Sequence, residues 1–331
     1  MPLQVKQIVG NSFIIVGGPK VPVVGLITDG GNPKHAVLID SGIDEVAAKA
    51  IDKAILDGYA LQGIINTHHH ADHCGGNNYF QTKYPNIKIF ATYSEQPLIE
   101  HTDLEPMYLS GGAKPFSFIG ANKFLHPKPS RVTDIIPDES EGVVLSIGDI
   151  KCTVRDLRGH TKGMIGISTN DGVLYCADAF FGLQTLNEHK ILFHTDIAAS
   201  LATLKKIEDL NVKYSHVVIY HGGFIEDVHG LIGVNRKQIL EVNDFILEAI
   251  KNSVKLTIDD LLATLIGKFE PGPLLPPQII LNRTVLQAHL SFLESSQRIL
   301  LTAENGYVFC SIHPAAHVSS VPNVISNTTP K

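Results

Sequence analysis

Cysteine is sparse in this 331-residue sequence: Cys74, Cys152, Cys176 and Cys310 lie far apart, with no Cys-x-x-Cys pair. That scatter excludes a dense disulfide framework and fits a reducing, cytoplasmic setting. Long apolar runs are missing too. No stretch approaches the roughly 18 consecutive apolar residues of a membrane helix, so no membrane association is expected. Met1 to Gly18 mixes Gln4, Lys6, Gln7 and Asn11 among apolar residues, without a basic start, an uninterrupted apolar run or a cleavage signature, and reads as mature sequence. Charge of one sign is not in excess either. A formal net charge of -6 and a pI near 6.2 give no electrostatic reason to bind nucleic acid or an acidic membrane.

What is present is ample apolar material, 44% of the residues, enough to bury a substantial core in one large domain plus a small one. Residues 12–17, 23–28 and 36–40 read as strands separated by Gly, Pro and Asn turns, and a helix follows from about Glu45 to Asp57. Leu61 to Asn66 is a short apolar run typical of a strand covered on both faces, and it stops at Thr67-His68-His69-His70-Ala71-Asp72-His73. Strand patterns return at 87–91, 143–145, 150–154, 164–167, 173–177 and 216–220, with a helix over Ser200 to Leu210.

Between them, 101–135 carries Gly, Pro, Phe116, Phe118, Lys114, Lys123, Lys128 and Arg131 without clean periodicity, as an inserted lid would. Its bases are read as a solvated face, or else as a grip on an anionic substrate with the two phenylalanines lining the pocket. Past about residue 230 the style is helical: Asn235 to Ile250, Thr257 to Ile266 behind a Thr257-x-x-Asp260 capping pattern, and Ile279 to Leu293, followed by an Asn305-Gly306 hairpin. The expected division is 1–229 and 230–331, the latter winged-helix-like. From His229 to Lys331 basic and acidic residues are equal in number, so the tail lacks the positive footprint of a nucleic-acid reader. Packing, lid or homodimer contacts are the expected roles.

Four potential ligands within six residues, His68, His70, Asp72 and His73, are costly to desolvate unless something binds them, and a metal is the obvious partner. Alternate residues of an extended segment share a face, so His68 and His70 can reach one ion while Asp72 and His73 reach another. Imidazole and carboxylate suit zinc, iron or manganese. His160, Asp178 and His221 stand at further strand ends, where they can converge on the same cleft. A solitary histidine is usually structural, and His69, His126, His194 and the rest are read so; Cys74 is read as packing, and Asp40 as a turn former or a support for a ligand.

The run Thr67-His68-His69-His70-Ala71-Asp72-His73-x-Gly75-Gly76-Asn77, with Asp40-Ser41-Gly42, Gly159-His160-Thr161, Asp178 and His221-Gly222 in order, resembles the metallo-beta-lactamase superfamily, most closely its glyoxalase II (hydroxyacylglutathione hydrolase) branch. The resemblance implies an α/β fold, a four-layer αβ/βα sandwich, followed here by the small, mainly helical C-terminal domain. It implies His68, His70 and His160 on one divalent ion, Asp72, His73 and His221 on a second, and Asp178 between them, with Asp40 orienting a ligand. Two zinc-type ions, roughly 3.5–4 Å apart, then hold a hydroxide that attacks a small-molecule thioester, ester or lactone. The basic glutathione-binding segment of that branch is not evident in the tail. The rival expectations are a one-iron persulfide dioxygenase-like oxidoreductase and, more remotely, a nuclease or phosphodiesterase.

Overall fold

The computed structural model describes residues 3–17, 22–31, 34–55, 58–211, 213–253 and 255–317. Seven strands form one sheet in chain order: β1 (Gln4–Val9), β2 (Ser12–Val16), β3 (Val24–Thr28), β4 (Lys34–Ile39), β5 (Tyr59–Ile65), β6 (Lys88–Thr92) and β7 (Asp134–Ile136). A second sheet contains β8 (Val144–Ile147), β9 (Ile150–Asp156), β10 (Ile165–Thr169), β11 (Val173–Tyr175), β12 (His216–Ile219) and β13 (Gly223–Ile225), laid side by side in chain order. The helices are α1 (Glu45–Ile55), α2 (Ala71–Cys74), α3 (Asn77–Lys83), α4 (Gln96–Glu100), α5 (Leu104–Leu109), α6 (Ser117–Gly120), α7 (Leu183–Glu188), α8 (Ile197–Asn211), α9 (Val228–Lys251), α10 (Ile258–Phe269) and α11 (Pro276–Ser295).

The two-residue period of a strand explains the layers. In β4, Val37 and Ile39 point into the core between the sheets, where they meet Val154, Ile165, Tyr175 and Val218. Ala36 and Leu38 point the other way, against Ile51 and Ile55 of α1 and Phe80 of α3. On the second sheet, Leu174, Val217 and Ile219 face outward onto Leu204 and Ile207 of α8 and Ile232 of α9. The result is helix, sheet, sheet, helix, the expected αβ/βα sandwich. Strands β4, β5, β6 and β7 are mutually parallel, as are β11 and β12, so several strand ends emerge on one edge. Loops that follow parallel strands are where α/β folds place their ligands.

Beyond the sandwich, α9 is shared by two cores: Leu231, Ile232 and Ile239 pack on α8, while Val242, Ile246 and Ile250 pack with Leu261, Leu265, Leu286 and Leu290 of α10 and α11. Thr257 caps α10 through a reciprocal Thr257–Asp260 box, as its spacing predicts. Strand β14 (Leu256–Thr257) joins β15 (Ile299–Glu304) and β16 (Tyr307–Ile312) in a small sheet, with Asn305 (φ 51°) and Gly306 (φ 82°) turning the hairpin in the left-handed conformations of a type I′ turn. In the inserted segment, Leu109, Ile119 and Leu125 pack against Ile280 and Leu281 of α11, so insertion and tail touch each other. Among the described residues no helix is long and apolar enough to cross a membrane.

Candidate metal centre

The site is assembled from the ends of both sheets. Asp40 follows β4 with φ 66°, a left-handed conformation that Asp tolerates better than most side chains. Its carboxylate accepts from the Thr67 amide (2.8 Å), the Thr67 hydroxyl (2.9 Å) and Nδ1–H of His73 (2.7 Å). The Gly75-Gly76 pair permits this approach: a Cβ on Gly75 would lie 1.9 Å from the Ile43 carbonyl oxygen, and one on Gly76 2.2 Å from that of Ser41. Asn77 ties the two loops together, accepting from Ser41 Oγ and donating to Asn66 Oδ1. Each residue of the motif after His73 therefore has a local job.

The far ring nitrogens of three histidines are anchored so that the other nitrogen faces inward. His73 Nδ1–H is taken by Asp40, and His160 Nδ1–H by the Phe193 carbonyl (2.7 Å). The Thr67 hydroxyl donates its proton to Asp40, so it accepts from His68 Nδ1–H at 3.1 Å. Nε2 of His68 and His160 thus presents a lone pair to the centre, and Nε2 of His73 points there too, free to do the same once its proton is displaced. His70 turns the other way: its Nδ1 lies 3.1 Å from His68 Nε2 and 2.9 Å from His160 Nε2. Three imidazole nitrogens converging with at most one proton among them are what a cation would bind.

A second focus adjoins the first. His221 Nε2 lies 3.1 Å from Asp72 Oδ2 and 3.4 Å from Asp178 Oδ2, and His73 Nε2 is 3.7 Å from Asp72 and 3.5 Å from Asp178 Oδ1. Asp178 also reaches toward the first focus, 3.8 Å from His160 Nε2. His68–His70–His160 and Asp72–His73–His221 each gather their donor atoms closely enough to hold one ion, and Asp178 stands between them. His73 Nε2 and Asp178 Oδ1 are buried with no hydrogen-bond partner among the described residues, an expensive arrangement that an ion would relieve. The residues therefore fit a divalent metal, and all seven ligand candidates named from the sequence are brought together.

Electrostatics separates the foci. Burial, reinforced by neighbouring imidazoles, holds His68 and His70 well below the usual histidine range and lowers His160. Burial acts the same way on His73 and His221, but carboxylates outweigh it: Asp40, Asp72 and Asp178 raise His73 well above the usual range, and Asp178 and Asp72 lift His221 to about 10. Burial opposes ionisation of Asp178, yet His221 and His73 keep its carboxyl well below the usual range.

Side-chain exposure is 29% for His221, 20% for Asp72 and 15% for His70, against 0% for His73, so the centre opens on the His221 side. There it meets a cleft of about 1200 Å³ with Val16, Val23, Leu183, Phe224 and Val234 on its walls. Phe116 and Phe118, which only the alternative, anion-gripping reading of the insertion put in a pocket wall, stack on each other at 5.4 Å, 68% and 41% exposed, and take no part in this cleft. Lys128 pairs with Glu45 at 2.8 Å on the solvated face.

Sequence reasoning missed three partners. Glu95, buried behind His69, accepts from the His69 amide and ring, from Thr161 Oγ1 (2.8 Å) and from the Gly163 amide (2.7 Å), tying the His-rich loop to the His160 loop. Its position three residues after β6, like Asp40 just after β4, was the one available signal. Glu105, in the insertion, lies 3.8 Å from His70 Nε2 and 4.0 Å from His69 Nε2, and burial pushes its carboxyl up to about 7. Tyr220 donates to the Asp72 carbonyl and lays its ring on His73 at 3.8 Å between centroids. His69 faces away from the ion-facing nitrogens, as alternation requires, but is buried rather than solvated. His194 is buried beside His160 and bonded to Ser200 Oγ at 3.0 Å. Cys74 is buried and its thiol is turned to the His69 carbonyl, as a packing residue's would be.

Among solved structures, the fold is similar to a metallo-beta-lactamase family protein from Thermus thermophilus (TM-score 0.63, 17% identity, 90% of this chain and 98% of that one). It is also similar to a beta-lactamase domain protein from Burkholderia ambifaria (TM-score 0.67, 16% identity, 93% of each). Curated relatives include hydroxyacylglutathione hydrolases from Synechocystis sp. (29% identical over 140 residues, 39% of this chain and 42% of that protein) and Crocosphaera subtropica (29% over 236 residues, 62% and 79%). The chain thus spans less than half of the first relative and about four fifths of the second. The model of the metallo-beta-lactamase superfamily matches residues 17–221, which hold strands β3 to β12 and every ligand candidate, and the chain belongs to that superfamily.

Proposed function

We propose that this protein is a dinuclear metal hydrolase, of zinc type, that cleaves a small thioester, ester or lactone. The observation that carries the reading is the pair of adjoining ligand sets with Asp178 between them and two of their polar atoms buried without a partner among the described residues. When bound, two divalent ions supply a water activated near neutral pH and Lewis acidity for a developing oxyanion. The protein's own part is positional. Asp40, Thr67 and the Phe193 carbonyl fix the imidazole tautomers, and Asp178 and Asp72 supply negative charge against the cations.

The cleft beside His221 bears on the substrate. Among the described residues, and apart from His221, its charged lining is Lys6 against Glu188, Glu226 and Asp227, on apolar walls. Such a lining favours an uncharged acyl group over the anionic tripeptide of a glutathione thioester, despite the names of the relatives. Against a one-iron oxidoreductase, Asp72, His73 and His221 form a second ligand set that a single ion at the first focus would leave unused. The C-terminal unit is read as packing support, since its exposed wing residues Leu300, Leu301, Tyr307 and Val308 are apolar rather than basic.

Elemental analysis of protein purified without added metal, paired with a panel of uncharged esters, lactones, thioesters, phosphodiesters and persulfides, tests the proposal. Two zinc ions per chain with ester or lactone turnover are expected. A single iron with oxygen uptake on persulfides would overturn it.

A further inference from the structure

Of the imidazoles at the first focus, His70 alone has no anchor on its outer nitrogen. His68 is held by Thr67 and His160 by the Phe193 carbonyl, whereas His70 Nε2 makes no hydrogen bond among the described residues. The nearest charged group to it is Glu105 Oε1 at 3.8 Å. Glu105 is itself unusual: it is 3% exposed and its carboxyl makes no hydrogen bond among the described residues, its nearest ionisable neighbours being His70 at 3.8 Å and His69 at 4.0 Å. Its other oxygen lies 4.0 Å from His69 Nε2, a buried nitrogen likewise without a partner, while His69 Nδ1 is committed to Glu95. A buried carboxylate between two idle imidazole nitrogens costs free energy unless it acquires a partner.

We infer that Glu105, delivered by α5 of the insertion, is a positioning residue for His70, accepting from its Nε2–H and so keeping Nδ1 aimed at the first ion. This rests on the metal-centre reading above. The chemistry follows from the inverted ring: a neutral imidazole that gives Nδ1 to a metal carries its proton on Nε2, and that proton points at Glu105. An imidazole donating to a carboxylate is also a more basic ligand and is fixed in orientation. The consequence reaches beyond the site. Leu109, at the end of the same helix, packs with Ile119 and Leu125 on Ile280 and Leu281 of α11, so the insertion and C-terminal helix together hold the group that steadies a metal ligand.

The test compares Glu105→Leu and Glu105→Gln with the wild type in the full chain, loaded with cobalt(II) or zinc. Chelator competition gives the affinity of each ion, the cobalt ligand-field bands report the first focus, and the melting temperature of metal-free protein reports the fold. The leucine variant should bind the first ion about 10–100-fold more weakly with shifted cobalt bands. Glutamine, which still accepts a hydrogen bond, should recover part of that affinity; second-ion affinity and the metal-free melting temperature should hold in both variants. Unchanged first-ion affinity and bands in both variants would overturn the inference. So would three ions per wild-type chain falling to two, since His69, His70 and Glu105 would then be ligands of a third ion. A metal-free fold destabilised in step with the metal loss would assign Glu105 a purely structural role. Wild-type protein that binds no divalent ion would refute the metal-centre reading itself, and this inference with it.

Discussion

The two ligand sets sit side by side yet are prepared differently for a cation. His68, His70 and His160 are imidazoles that burial has already stripped of protons, so an ion enters against little proton competition. His73 and His221 share their focus with Asp72 and Asp178 and hold protons to higher pH, so an ion there must expel them. Carboxylates thus make the second set more attractive to a cation and also more attractive to its competitor. Desolvation decides the first focus and opposite charge decides the second.

The harshest way to probe that difference is to remove the group common to both. Asp178 lies within 3.8 Å of a histidine of either set, so Asp178→Ala should empty the second focus, weaken the first and abolish turnover, with the fold intact by circular dichroism. Loss of one ion alone, at full affinity for the other, would show that Asp178 serves a single focus. A smaller and more selective effect is expected from Asp40→Ala. It strips the anchor of His73 directly and reaches His68 only through Thr67. Second-ion affinity, measured by chelator competition, should fall about 10–100-fold, and first-ion affinity by less. Equal losses at both foci would erase the distinction.

Much of this was legible in the sequence because strand ends and a dense motif carry it. Thr67 to His73 follows an apolar strand, Asp178 and His221 follow strands whose burial is nearly continuous, and His160 lies in the loop after β9, where burial alternates. Four strands were not legible, among them the two-residue β14. β1 is an edge strand with polar Gln4, Lys6 and Gln7 and little burial, and β7 and β13 have three residues each, too short to show a period. The supporting groups were hidden for a different reason. Glu95, Glu105 and Tyr220 are 1%, 3% and 4% exposed, but nothing in a one-dimensional pattern separates a buried carboxylate from a solvated one. Their meaning comes from contacts across 26 and 148 residues of chain, which only the fold supplies.

Acidification should separate the foci without any mutation. At neutral pH the first set is already neutral, whereas His221, with its pKa raised to about 10, and His73 are protonated before an ion arrives. Ion binding at the second focus therefore releases protons, and its affinity falls as pH falls, by about tenfold per pH unit for each proton released. Between pH 8 and pH 6 the second ion should dissociate first, which metal-content measurements on dialysed protein would follow. The sign is fixed by the raised histidines; simultaneous release of both ions would show that the two environments are not distinct once metal is bound.

The mildest perturbation isolates a single hydrogen bond. Tyr220 serves only the second focus: its hydroxyl donates to the Asp72 carbonyl and its ring covers His73. Tyr220→Phe keeps the ring and deletes the donor, leaving the Asp72 backbone freer to shift while His73 stays covered. One neutral hydrogen bond contributes about 0.5–1.5 kcal/mol, so second-ion affinity should weaken by about 2- to 10-fold, with the first ion unmoved. Tyr220→Ala removes the ring as well and exposes His73 to water, so it should cost more than Tyr220→Phe at the second focus. If Phe and Ala weaken the second ion equally, the hydroxyl carries the whole contribution and the ring is passive; if Phe is silent, the ring alone supports His73. Weakening of the first ion by either change would mean that the two sets respond as one unit, linked through His73 and Asp178, despite the opposite origins of their protonation states.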